Sequence, residues 1–169
     1  WAFEEIGVPY SWGGGDENGP TYGFAQGAGT KGFDCSGLTL FAYGKAGIHL
    51  DHYSQSQWNQ GKRISSRADL LPGDLMFFAH DTSQPSTIHH VSIYIGKGKM
   101  IEAPYTGEVV RVSDAGRSDF IVDHATARGS SCTGSRQAGE SRKPPRAQSA
   151  THLASPPAPP HCSPQMLRP

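Results

Sequence analysis

Three side chains in this sequence have the types and the order that nucleophilic catalysis needs: Cys35, then His90, then Glu102. Cys35 is the only cysteine in the first 131 residues, and it follows the glycine-punctuated stretch that runs up to Gly32. Behind it Leu38, Phe41, Ala42 and Ala46 recur at spacings of three and four, which predicts a helix over Ser36–Ala46 closed by Gly47. A cysteine at a helix N-terminus faces unpaired backbone N–H groups and the positive end of the helix dipole. Both favour negative charge on the sulfur. The same position also suits a small buried hydrophobe, because free cysteine is among the most buried residue types.

A thiol nucleophile needs a base within hydrogen-bond reach, and the base needs a third group to hold its tautomer. His89 and His90 open the strongest strand signal of the chain, His90–Ile95. Parity separates them. Val91, Ile93 and Ile95 share one face with His89, while His90, Ser92 and Tyr94 share the other. With the apolar set in the core, His90 is expected to look away from it. Taken alone, His90 reads equally as an ordinary half-exposed strand residue.

Glu102 interrupts the apolar strand Met100–Ala103, where a carboxylate is costly without a partner. A hairpin turning about Gly96 sets Glu102 directly opposite His90 on one face. A hairpin turning between Lys97 and Gly98 sets the two on opposite faces. The register is open at this level, and Glu102 also reads as an edge-strand charge that discourages aggregation.

The elements that must position these groups follow in order. Residues 1–7 are expected to form the last turns of a helix ending at Gly7, and Pro9 forces an extended connection. Residues 16–32 lack periodicity and read as a surface loop delivering the chain to Cys35. Residues 49–63 read as loop plus a short helix, with Ser54–Gln60 along a cleft wall. Strands are expected over Leu75–Phe78, His90–Ile95, Met100–Ala103, Val109–Val112 and Phe120–Val122. Helices first and antiparallel strands after them predict an α+β domain, with helices packed on one side of the sheet.

Composition bounds the partners. Fifteen basic against 15 acidic residues give no reason to expect nucleic acid. No apolar run approaches the roughly 20 residues of a membrane span. Three cysteines provide no disulfide framework. The chain opens on Trp1 without a signal-like stretch, so it reads as a piece of a longer precursor. From Arg128 onward there is no Phe, Trp or Tyr and eight of the 13 prolines occur. The expected division is therefore a folded domain over 1–127 and a disordered, solvated Pro-rich tail over 128–169.

Four stretches carry a resemblance. They are Pro9–Gly14 (PYSWGG), Phe33–Leu38 (FDCSGL), Leu71–Phe78 (LPGDLMFF) and His90–Gly96 (HVSIYIG). In this order and spacing they resemble the NlpC family of bacterial cell-wall cysteine endopeptidases, papain-like in fold, over about residues 1–125. The Gly15–Pro20 loop and the Glu102 strand are similar to secreted mycobacterium-type members. The resemblance implies Cys35 as nucleophile, His90 as general base and Glu102 at the third polar position. It implies that Tyr10 faces the cysteine and that Asp34 and Ser36 help to receive the substrate. It further implies a secreted monomer that needs no cofactor or metal and cleaves the bond between D-γ-glutamate and meso-diaminopimelate in peptidoglycan stem peptides. Most of that family carries His, Asn or Gln third, so the charge on Glu102 is a departure.

Three rival readings are weaker, one of them a different acyl transfer on the same scaffold, amidase or transpeptidase action. A zinc site drawn from Cys35, His49, His52, His80, His89 and His90 has no recognisable ligand spacing. A silenced or non-catalytic wall-binding module of the same fold has to account for the retention of both Cys35 and His90.

Overall fold

The computed structural model describes residues 1–121, together with the backbone of 124–126. The expected tail lies outside the described residues. The α+β expectation holds: helices precede an antiparallel sheet.

The helix carrying the cysteine, α1 (Cys35–Lys45), begins one residue earlier than its apolar spacing suggested, because Asp34 caps it. One Asp34 side-chain oxygen accepts the Gly37 N–H at 2.7 Å, satisfying a donor that the helix itself leaves open. At the other end Gly47 adopts φ +78°. The Gly47 N–H bonds the Gly44 carbonyl and the Ile48 N–H bonds the Tyr43 carbonyl, each at 2.9 Å. This double bond pattern around a left-handed glycine stops the helix. The apolar stripe was drawn too simply. Ser36, Gly37, Leu38, Thr39, Leu40, Phe41 and Tyr43 are all buried, whereas Ala46 is exposed.

A second helix, α2 (Ser54–Gln60), leans on the first turn of α1 through one fully buried amide. The Gln57 side chain donates to the carbonyls of Ser36 at 2.9 Å and Asp51 at 2.8 Å and accepts from the Thr39 hydroxyl at 2.7 Å. All but one of its hydrogen-bonding positions are thereby filled, as burial requires.

The region read as a structureless loop contains two short paired strands, β1 (Thr21–Tyr22) and β2 (Lys31–Gly32), joined through a 3₁₀ turn over Ala25–Gly27. Strands of two residues carry too little periodicity to be seen in a sequence. The N-terminal turns are a 3₁₀ segment, Ala2–Glu5.

Next come β3 (Lys62–Ile64), β4 (Leu75–Ala79), β5 (Ile88–Gly96), β6 (Lys99–Glu102), β7 (Arg111–Asp114) and β8 (His124–Thr126). Strands β4, β5, β6 and β7 form an antiparallel sheet in that order, and β3 pairs separately with β8. The strand expected over Val109–Val112 begins two residues later, while Val109 bridges back to Pro9. Phe120 makes only an isolated bridge to Phe78, and Val122 lies outside the described residues.

Both faces of the sheet are covered. Val91, Ile93, Leu75, Phe77 and Ile101 join α1 and Trp58 in the main core. Met76, Phe78, Met100 and Phe120 form a second apolar cluster on the other face, with Tyr94 against it. The expectation that His90 and Ser92 look out of the core is corrected here, since they are only 5% and 1% exposed. The unbroken apolar run of β4 carried that signal, because a strand buried on both faces does not alternate.

Candidate active site

The cysteine is placed by three elements that meet at Asp34. Its second carboxylate oxygen accepts the Gly13 N–H at 3.0 Å, and its own N–H reaches the Gly14 carbonyl at 2.9 Å. The glycine loop is thus tied to the helix start. Gly37 lets them meet, since a Cβ there would lie 2.1 Å from the Gly14 oxygen. The oxygen of Asp34 that caps α1 also accepts the Ser36 hydroxyl and lies 3.0 Å from His52 Nε2. The hydrogen bond to Asp34 raises the basicity of His52, against the opposing effect of its burial. Asp34 and Ser36 therefore serve the helix cap first, and both also line the cleft beside Cys35.

Tyr10 is buried, with its backbone bridged to Phe33. Burial, reinforced by negative charge at Cys35 and Asp34, pushes its phenol well above the usual range, so it remains an O–H donor.

The histidine is aimed by a bulge. Phe78 pairs with His90, but the next pair is Ala79 with Ile88, which leaves His89 as the extra residue of β5. His89 stacks on His80 with ring centroids 4.2 Å apart and sits 3.5 Å from Asp119. Burial and the neighbouring His80 lower its basicity. His90 turns inward instead, and its Nε2 lies 2.8 Å from Glu102 Oε2. With Nε2 so engaged, Nδ1 is the ring nitrogen left for sulfur. Burial disfavours the imidazolium, yet hydrogen bonds to Cys35 and Glu102 outweigh it and raise His90 to about 9. Burial would also raise the Glu102 carboxyl, but the hydrogen bonds from His90 and Ser113 and the charge of Arg117 hold it below its ordinary value.

A cleft of about 730 Å³ collects Cys35, His90, Tyr10, Asp34 and Ser36. Its rim carries exposed aromatic rings at Trp12, Phe24, Tyr53 and Tyr105. Glu102 lies behind His90 in an adjoining hollow with Arg111 and Arg117. All six site residues named from the sequence thus converge on one place. The sequence reading gave His52 only to a zinc set, and it passed over the two arginines and the aromatic rim. Only the aromatic rim had a sequence signal, in the runs around Trp12 and Tyr53. His49 pairs with Glu17 and His52 with Asp34, so these histidines are dispersed among different partners.

Residues 7–127 match the NlpC/P60 family. The chain belongs to the NlpC/P60 family. It is 53% identical over 109 residues to the peptidoglycan endopeptidase RipA of Mycolicibacterium smegmatis, covering 64% of this chain and 21% of RipA. It is 37% identical over 123 residues to a gamma-D-glutamyl-L-lysine dipeptidyl-peptidase of Bacillus cereus, covering 73% of this chain and 32% of the relative. The chain therefore spans about a fifth to a third of these relatives' length.

Among solved structures, the resuscitation promoting factor interacting protein RipA superposes with a TM-score of 0.68 at 42% identity, covering 74% of this chain and 57% of that one. Its solved variants are mutated at a cysteine, a histidine and a glutamate. RipD of Mycobacterium tuberculosis, described as a non-catalytic NlpC/P60 domain protein adapted to peptidoglycan binding, superposes with a TM-score of 0.66 at 34% identity, covering 75% of this chain and 91% of RipD. The fold is shared by members that cleave and by one that only binds.

Proposed function

We propose that residues 1–127 form the catalytic domain of a secreted, monomeric cell-wall cysteine endopeptidase. Its substrate is the peptidoglycan stem peptide, and it cleaves the amide between D-γ-glutamate and meso-diaminopimelate. The observation that carries this reading is the His90 to Glu102 contact of 2.8 Å, beside a cysteine at a capped helix start in the same cleft. The names of the relatives, peptidoglycan endopeptidase and gamma-D-glutamyl-L-lysine dipeptidyl-peptidase, support the substrate class. In the RipA structures the mutated histidine and glutamate are separated by the same number of residues as His90 and Glu102.

In this mechanism His90 takes the Cys35 proton, giving a thiolate beside an imidazolium. The sulfur attacks the γ-carbonyl carbon. The developing oxyanion is held by the Cys35 backbone N–H, which no helical carbonyl can reach, and by the Tyr10 hydroxyl. The imidazolium then protonates the leaving amine as the C–N bond breaks, leaving a thioester on Cys35. His90 next takes a proton from water, and the resulting hydroxide attacks the thioester carbon. The adduct expels the Cys35 thiolate beside the still protonated His90, and the new acid leaves as a carboxylate after losing its proton to solvent. Glu102 stays ionised throughout and fixes the imidazole tautomer.

Likeness to RipD favours a second reading, a wall-binding module without turnover. Mass spectrometry of defined muropeptides incubated with the protein, with Cys35→Ala alongside, separates the two. Release of a fragment with a free diaminopimelate amine by the unmodified protein alone supports the peptidase. Binding to sacculi with no product from either protein supports the wall-binding module.

A further inference from the structure

Glu102 carries a charge and is only 3% exposed. The proposed cycle makes that charge a difficulty. When His90 gives its proton to the leaving amine, the one mobile cation beside Glu102 disappears and a buried anion remains. Two permanent cations stand where they can compensate. Arg117 Nη1 lies 3.8 Å from Glu102 Oε2, the oxygen that faces His90. Arg111, paired with Glu102 across the β6–β7 ladder, brings Nε to 3.9 Å from Oε1.

The two arginines are held differently. Arg117 grips Asp119 with two nitrogens at 2.7 and 3.1 Å. Its guanidinium also lies 4.5 Å from the centre of the Phe78 ring, and that ring packs against His90. Arg111 gives its best contact to Glu108, at 2.7 Å. Around Glu102 the polar and charged groups are therefore His90 from β5, Arg111 and Ser113 from β7, and Arg117 beyond it; Glu108 and Asp119 face the arginines, and His89 faces Asp119.

Building on the peptidase reading above, we propose that Arg117 is a positioning residue. Its permanent charge keeps the Glu102 carboxylate ionised behind His90 through the step in which the imidazolium is discharged. Arg117 lines the hollow behind His90 and is not among the residues lining the cleft that holds Cys35. It acts through Glu102.

The test is a set of pH profiles for kcat and KM on a muropeptide, using Arg117→Gln, Arg117→Lys, Glu102→Gln and the Glu102→Gln/Arg117→Gln double variant. Arg117→Gln should move the acid limb of kcat up by about one pH unit, a tenfold loss on that side, with KM unchanged. Arg117→Lys should recover most of it. In the Glu102→Gln background the second substitution should change nothing. Carbon-13 NMR of the Glu102 carboxyl gives a reading independent of turnover. Its titration midpoint should rise in Arg117→Gln, and this decides the matter even if the wild type cleaves no muropeptide. Should Arg117→Gln not fold, Asp119→Asn removes the anion that competes for the guanidinium while keeping the cation, and should shift the midpoint the opposite way, downward. An unmoved carboxyl titration, or an equal loss of kcat with and without the Glu102 carboxylate, overturns the proposal.

Discussion

His90 and Glu102 meet on a diagonal of the sheet, 2.8 Å apart, and are not opposite one another. The turn pairs Gly96 with Lys99, the register that would send the two side chains to opposite faces if it continued. A bulge between Tyr94 and Gly96 changes it to Tyr94 with Met100 and Ile93 with Ile101. Continued, that register sets Ser92 opposite Glu102 and returns His90 to the same face, one step along. A one-residue slip flips every side chain. The bulge therefore decides whether the carboxylate reaches the imidazole.

Because hydrogen bonds to Cys35 and Glu102 hold the His90 imidazolium against burial, removing either partner should lower its basicity. Cys35→Ala should abolish muropeptide cleavage, by several orders of magnitude in kcat. It should also move the His90 titration in an NMR experiment below that of the unmodified protein. An unchanged midpoint would mean that the sulfur does not contact His90.

The stability consequence has a definite sign. His90 is raised from 6.5 to about 9 in the folded chain. Its protonated form thus contributes stability that is complete below pH 6.5 and is lost as pH rises through about 9. Urea unfolding between pH 6 and 9.5 should show that decline, and the alkaline limb of activity should fall over the same range. A flat unfolding free energy across the window would contradict the assignment.

Tyr10 offers a test of the oxyanion site. Tyr10→Phe keeps the buried ring and removes the O–H, so kcat should fall roughly 10²-fold with little change in stability. Equal kcat values would remove the phenol from the mechanism.

Gln57 and Asp34 carry the architecture beneath Cys35. Gln57→Leu takes the side-chain donor from the Asp51 carbonyl, a loss of about 1–3 kcal/mol for an unsatisfied group, while the Ser36 carbonyl keeps the Thr39 hydroxyl at 2.8 Å. Asp34→Ala removes the helix cap, worth about 1 kcal/mol, along with the tie to the Gly13 N–H. Both should lower the denaturation midpoint, and Asp34→Ala should cost activity beyond its effect on stability.

How much of this was legible before folding depends on the range of each interaction. The body of α1 was readable because its apolar spacing lies within a few residues, whereas its start, one residue earlier behind the Asp34 cap, was not read. Strands β4 to β6 announced themselves through β-branched and aromatic runs. The short β1–β2 pair did not, since its strands are held by a partner ten residues away and have no period of their own. The arginines behind Glu102 carried no local mark at all.

The chemistry available was written in the order of the residues: a thiol at a helix start, an imidazole on a strand, a carboxylate in an apolar segment, and the family to which their spacing belongs. Their relation came from the pairing of the strands. Two bulges in β5, one beside His90 and one at Tyr94–Gly96, set which way the imidazole points and which face it shares with Glu102. Burial on both faces of the sheet then strengthened their contact. A bulge shifts register by one residue at small local cost, so local pattern does not reveal it. Its consequence is read only when the strands are paired.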